Sequence, residues 1–214
     1  MTDNDDNEDI SIKVVLLGET AVGKTSIITR FIRNSFSPYV MSTSGASFVT
    51  EIIELDNNKK VKVNIWDTAG QERYRSVSKI IYKNASVVIL VYDITNIISF
   101  EGIRDYWSKE IKDNCPENVT VAVVANKSDN YLEQKVPIED GKELAEKLNA
   151  IFASTSAKLG NGIDDLFRTV TAKHLNLEKD NTCSNEEEMK ENNKKITIEK
   201  NKNTKNTGKK KKCC

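Results

Sequence analysis

Apolar and polar positions along this chain follow two rhythms. Strand-like runs rich in valine and isoleucine occupy 10–17 (ISIKVVLL), 47–55 (SFVTEIIEL), 60–66 (KVKVNIW), 86–92 (SVVILVY), 119–125 (VTVAVVA) and 150–154 (AIFAS). Between them, apolar residues recur at helical spacing over 24–34, 72–83, 99–114, 139–149 and 162–177. The last stretch sets Ile163, Leu166, Phe167, Val170 and Leu175 on one stripe with charges between. Such a stripe needs a sheet to lie against. Two of the strand runs are nearly unbroken, as in strands buried on both faces. Strand–helix alternation predicts an α/β fold: a mostly parallel six-stranded sheet with helices on both faces. The short polar turn at 56–60 (DNNKK) predicts a hairpin between the second and third strands, and so one antiparallel edge strand.

From about residue 178 the periodicity stops. Residues 178–214 are rich in Asn, Lys and Glu, with too little apolar surface to bury, so a disordered tail is expected. The division is an acidic extension 1–9, a folded domain 10–177 and a basic tail 178–214. The chain's 32 basic and 32 acidic side chains cancel, but the sum hides an asymmetry. The head carries Asp3, Asp5, Asp6, Glu8 and Asp9 with no base, whereas from Lys194 onward nine lysines face one acid, Glu199. Solvation accounts for the head; the tail's charge points to a partner. The four cysteines, Cys115, Cys183, Cys213 and Cys214, show neither metal spacing nor a disulfide framework. The N-terminus lacks the apolar run of a signal peptide, and no apolar stretch is long enough to span a membrane. A reducing, cytosolic setting is expected. His174, the only histidine, falls at a helix edge and receives no role. Neither do Cys115, expected to be partly buried, and Cys183.

Four short stretches carry chemistry, each leaving the C-terminal end of a predicted strand. The first, 18–25 (GETAVGKT), fits G-x-x-x-x-G-K-[ST] between a strand and a helix, the context of a phosphate-cradling loop. Its glycines let the backbone of Glu19, Ala21, Val22, Gly23, Lys24, Thr25 and Ser26 curl around an anion, and the helix N-terminus adds partial positive charge. Lys24 would reach the β- and γ-phosphates and the Thr25 hydroxyl would bind Mg²⁺. In 66–72 (WDTAGQE), Asp67 can hold a Mg²⁺ water, Gly70 offers an N–H near a γ-phosphate, and Gln71 can orient an attacking water. In 126–129 (NKSD), Asn126, Lys127 and Asp129 suit guanine, because a carboxylate can accept from its two adjacent N–H groups. Adenine has no such pair. In 155–158 (TSAK), the backbone of Ser156, Ala157 and Lys158 would meet the guanine oxygen. Taken singly, these are also a tight turn, a strand exit and polar caps. Together, in this order and at the ligand-binding edge of an α/β sheet, they specify a guanine-nucleotide site.

With WDTAGQERYRS, LVYDIT and a terminal Cys-Cys, the chain resembles the Ras superfamily of small GTPases, and within it the Rab family, over about residues 10–177. The resemblance implies a switch that binds GTP or GDP with Mg²⁺ and slowly hydrolyses GTP. Switch I would span about 36–48 and switch II about 69–82. Thr43 matches the threonine that binds Mg²⁺ and senses the γ-phosphate, and Phe36 the aromatic packed on guanine. Catalytic roles then fall to Gln71, Lys24 and Thr43, and metal ligation to Thr25, Thr43 and Asp67. Phe48 and Trp66 match two members of an effector-facing aromatic cluster, and Ile81 stands where the third is aromatic. Residues 45–48 (GASF) are similar to the switch I of endocytic Rabs. Ser44 replaces an isoleucine usual in the family, and Lys83-Asn84 an Arg-Gly pair. No arginine is assigned in cis, so a partner's arginine finger is expected, worth about 10³–10⁵ in rate.

The ending Cys213-Cys214 resembles that of Rabs geranylgeranylated on both cysteines. Two chains are what stable anchoring needs, and Lys209 to Lys212 would each add about 1 kcal/mol near an anionic leaflet. The resemblance implies a monomer in vesicle trafficking, cycling between cytosol and the cytoplasmic face of an endosomal or other vesicular membrane. Its partners would be an exchange factor, a GTPase-activating protein, an escort or dissociation inhibitor, and effectors. A GTP-binding scaffold with negligible hydrolysis is the rival. Retained Lys24, Thr25, Thr43, Asp67 and Gln71 argue against it, and altered Ser44 and Ile81 keep it open. A phosphate-loop kinase would need an arginine-bearing lid, which is not apparent. A nucleic-acid binder would interleave aromatics with its basic residues, and here the bases lie in one tail.

Overall fold

The apolar run at 87–93 becomes a strand buried along its whole length, at the middle of a six-stranded sheet. The computed structural model describes residues 10–43, 45–55, 58–70 and 75–176, with no side-chain surroundings at 75–77. The chain divides into a compact unit, Met1–Leu177, and a second, Glu178–Cys214. The second unit lies outside the described residues, with Cys183, Cys213 and Cys214; so do the acidic head, Ser44 and Gln71.

The strands are β1 (Ser11–Leu17), β2 (Ala46–Glu54), β3 (Lys60–Thr68), β4 (Val87–Asp93), β5 (Thr120–Asn126) and β6 (Ile151–Ser154). Their order across the sheet is β2-β3-β1-β4-β5-β6. Only β2 and β3 run antiparallel, with Val49 opposite Ile65; the other neighbours are parallel. β3 and β5 run further than the apolar pattern does. Asp67 and Thr68 pair with Ser47 and Ala46 of β2, and Asn126 pairs with Asp93 of β4. These polar residues therefore sit on hydrogen-bonded strand ends rather than in free loops.

The period of two divides the core. Val14 and Leu16 of β1, with Val87, Ile89 and Val91 of β4, face α1 (Lys24–Arg33) and α6 (Ile163–His174). There Phe31 and Phe167 stack with ring centroids 4.0 Å apart. Val15, Leu17, Val88, Leu90 and Tyr92 face the other side. That side is covered by α2 (Arg75–Tyr82), α3 (Ile97–Glu101), α4 (Ser108–Asn114) and α5 (Ile138–Lys147). Among the described residues, no helix is long and apolar enough to cross a membrane.

Two local departures from the sequence pattern matter. The helix expected over 99–114 starts at Ile97, because the Asn96 side chain accepts from the Ile98 N–H at 3.1 Å and caps it. A π-helical stretch, Gly102–Trp107, joins α3 to α4. The second departure is a correction. Ile81, expected to face effectors, is only 8% exposed, and it is Ile80 that is 79% exposed. On α2 the inward face is set by Ser78, Ile81 and Tyr82, spaced three and four apart as one helical stripe requires. Ile81 is held in the core by that phase.

Candidate functional site

The C-terminal ends of β1, β3, β4, β5 and β6 share one edge, and the four motif stretches leave from it. β1 ends at Leu17 and α1 begins at Lys24. Between them the loop turns sharply at Gly23, whose φ of 100° lies in the left-handed region, where a side chain is strained. A Cβ there would also strike the Asn126 amide. Lys24 folds back over the loop, donating from Nζ to the Gly18 carbonyl at 2.8 Å and the Glu19 carbonyl at 2.9 Å. Burial lowers its pKa to about 8, with the charges of Asp67 and Glu19 opposing that shift. An anionic ligand in the loop would add to the charges of Asp67 and Glu19 and favour this buried ammonium further. Gly70 presses on the same loop: a Cβ there would come within 2.5 Å of the Thr20 nitrogen.

Beside Lys24 three oxygens converge. The Thr25 hydroxyl donates to Asp67 Oδ2 at 2.6 Å and lies 3.0 Å from the Thr43 hydroxyl, which itself donates to Asp67 Oδ2 at 3.3 Å. Asp67 Oδ1 is buried and meets no hydrogen-bond donor among the described residues. Burial raises the Asp67 pKa, against the Thr25 hydrogen bond and the Lys24 charge. A spare, buried carboxylate oxygen next to two hydroxyls fits a hard, oxygen-seeking cation. The described residues hold no cluster of three His, Cys, Asp or Glu. The Thr68 hydroxyl donates to the Leu16 carbonyl at 2.7 Å, and the Ala69 N–H to the Gly45 carbonyl at 2.9 Å. These bonds hold the β3 end and the approach to β2 against β1.

On the other side of the loop, Asn126 is a hub. It donates to the Val22 carbonyl at 2.8 Å and accepts from the Thr155 hydroxyl at 3.1 Å and the Ala157 N–H at 3.4 Å. Lys127 has φ 64° and its ammonium pairs with Asp93 at 2.6 Å. Asp93 is in turn held by the Thr95 N–H and hydroxyl. Asp129 accepts from the Ser156 hydroxyl at 2.6 Å, and the Lys158 ammonium stands 3.6 Å from its other oxygen.

One cleft of about 460 Å³ takes in Ala21, Gly23, Lys24, Thr25, Ser26, Phe36, Thr43, Gly70, Asn126, Lys127, Asp129, Ala157 and Lys158. Val22, Ser156 and Glu19 serve from behind: Val22 and Glu19 offer carbonyls to Asn126 and Lys24, and Ser156 braces Asp129. Gln71 lies outside the described residues. Phe48 and Trp66 sit elsewhere, paired across β2 and β3 with ring centroids 5.1 Å apart. Sequence reasoning placed Thr20, Ser37, Pro38, Val40, Met41, Ser42 and Thr68 inside its candidate stretches without singling them out, and missed Asn130; all of them line the cleft. It missed Asp93 and Arg30 as supports too. An aspartate closing a wholly apolar strand was the available signal for Asp93.

Residues 13–176 match the Ras family. GTP-binding protein ypt5 of Schizosaccharomyces pombe is 44% identical over 170 residues, covering 79% of this chain and 80% of that protein. Mouse Ras-related protein Rab-31 is 42% identical over 160 residues, 75% of this chain and 81% of its own length. Ras-related protein RABA1b of Arabidopsis thaliana is 42% identical over 166 residues, 78% and 76%. The chain therefore belongs to the Ras family, and within it to the Rab small GTPases. It is a GTP hydrolase, as members of that family are.

Proposed function

We propose that this protein is a membrane-anchored switch in vesicle trafficking, holding GTP with Mg²⁺ and hydrolysing it slowly when alone. The observation that carries the reading is the convergence of Thr25, Thr43 and Asp67. Thr43 lies outside the phosphate loop, on the segment leading to β2, yet its hydroxyl reaches the oxygens beside Lys24. A segment that closes over the phosphate end of the cleft in this way can report whether a γ-phosphate is present. Thr25, Thr43 and Asp67 would hold Mg²⁺, which would neutralise charge on the phosphates. Lys24 would exchange its two carbonyl partners for phosphate oxygens. Asp129 would accept from the guanine N–H groups, with Ser156 fixing its orientation. Phe36 would cover the base, and the backbone of Ala157 and Lys158 would meet its oxygen. Gln71 would orient the attacking water.

Two prenyl groups on Cys213 and Cys214, aided by Lys209 to Lys212, would anchor the chain to the cytoplasmic face of an intracellular membrane. The GASF stretch supports an endocytic compartment. Phe48 and Trp66, exposed and half-buried, with Ile80 exposed on α2, support an effector surface beside the switches. The test is single-turnover hydrolysis by the full chain loaded with Mg²⁺–GTP. The expected rate is on the order of 10⁻³ per second, abolished in Gln71→Leu. No turnover in either protein would favour a GTP-binding scaffold, and fast turnover without partners would contradict the reading.

A further inference from the structure

We infer that Arg30 is a positioning residue for guanine recognition, its guanidinium fixing the backbone of the 156–160 loop from behind. Arg30 sits in the last turn of α1 and does not line the cleft. Its Nε donates to the Ala157 carbonyl at 2.8 Å and one Nη to the Lys158 carbonyl at 2.7 Å. The other Nη donates to the Asn34 carbonyl at 2.8 Å and the Asn34 side-chain oxygen at 3.1 Å. All four acceptors are uncharged, so this arginine serves as a rigid fork for carbonyls rather than half of an ion pair.

The consequence follows from peptide geometry. In a trans peptide the C=O and the next N–H point in opposite directions. Pulling the Ala157 carbonyl toward Arg30 therefore turns the Lys158 N–H the other way, toward the side the cleft occupies. The preceding N–H, of Ala157, is steadied by Asn126 Oδ1 at 3.4 Å, a long bond that leaves it free to share. The Lys158 N–H is thus turned toward the region where the proposed reading places the guanine oxygen, next in sequence to the Ala157 N–H. The same guanidinium holds Asn34, two residues before Phe36, so both walls of the base end are referred to one side chain. This inference rests on the guanine-nucleotide reading.

The experiment follows release of GDP, and of 6-thio-GDP, from the full chain as wild type, Arg30→Ala and Arg30→Lys. Sulfur in place of the base oxygen is a poor acceptor. Arg30→Ala should release GDP about tenfold faster, the scale of a lost charge-assisted hydrogen bond. Its release of 6-thio-GDP should change less, narrowing the gap the wild type shows between the two ligands. Arg30→Lys should behave like Arg30→Ala, because an ammonium cannot span three carbonyls in a plane. Unchanged GDP release in Arg30→Ala, equal acceleration of both ligands, or full rescue by lysine would each overturn the inference. So would a wild type that releases both ligands at one rate. A wild type that bound ADP as well as GDP would overturn the guanine reading itself, before any variant is compared.

Discussion

The side-chain amide of Asn126 donates to the backbone carbonyl of Val22 at 2.8 Å, tying the end of β5 to the loop after β1. The same side chain accepts from Thr155 and Ala157 and is 1% exposed. The loop after β1, the end of β5 and the loop after β6 are therefore one hydrogen-bonded unit. Asn126→Ala leaves the Val22 carbonyl and the Thr155 hydroxyl without this partner in a buried setting. A loss of about 2–3 kcal/mol is expected, read as an earlier urea midpoint with unchanged slope. A loss under about 0.5 kcal/mol would show that the two loops hold their places independently.

Asp129 presents acceptors only, one braced by Ser156. Asp129→Asn replaces one acceptor with a donor, the wrong sign for the guanine amine and the right sign for the C2 oxygen of xanthine. GDP affinity should fall by about 10²-fold or more while xanthosine diphosphate gains, measured by competition. Equal losses for both nucleotides would mean the carboxylate shapes the loop without reading the base.

The buried Oδ1 of Asp67, which meets no hydrogen-bond donor among the described residues, sets an expectation for metal removal. Chelating Mg²⁺ from the GDP-loaded protein should speed nucleotide release by about tenfold or more, since two phosphates then face the loop with less neutralising charge. Asp67→Ala should release GDP quickly even with Mg²⁺ present. Release indifferent to a chelator would remove the cation from the account.

The fold was legible because β1, β4 and β5 are apolar on both faces and their helices are apolar on one. The stretches that meet at the cleft were legible because glycines, a lysine, hydroxyls and a carboxylate recur at spacings set by local backbone geometry. What escaped depends on phase and on distant partners. Choosing between Ile80 and Ile81 required the rotation of α2, which Ser78 and Tyr82 settle by burial. The Lys127–Asp93 pair joins neighbouring strand ends 34 positions apart in sequence, and Arg30 finds its carbonyls 127 and 128 positions away. Neither has a local signature, because an arginine in a helix's last turn reads, in the sequence, as ordinary charge at a helix C-terminus.

Cys115 donates weakly from Sγ to the Tyr82 carbonyl at 3.5 Å, and burial pushes its pKa up from 9.0 to about 11. The folded state therefore keeps the thiol proton longer than the unfolded chain. This contribution to stability is complete below pH 9 and is lost as pH rises through 11. At pH 8 the native thiolate fraction is about 100-fold below that of the unfolded chain. Peptide-resolved alkylation should show Cys115 modified about 100-fold faster in urea. Equal rates would mean the thiol is open to solvent.

The measurement that bears most directly on the whole site is displacement of bound labelled GDP from the full chain, with Mg²⁺, by GDP, GTP and ADP. The geometry around Lys24, Asp67 and Asp129 predicts that GDP and GTP compete at similar concentrations and that ADP fails at 10³-fold higher, roughly the discrimination a mismatched buried hydrogen-bonding pair allows. Competition by ADP alongside GDP would contradict the account at Asp129 and return the cleft to a general phosphate site.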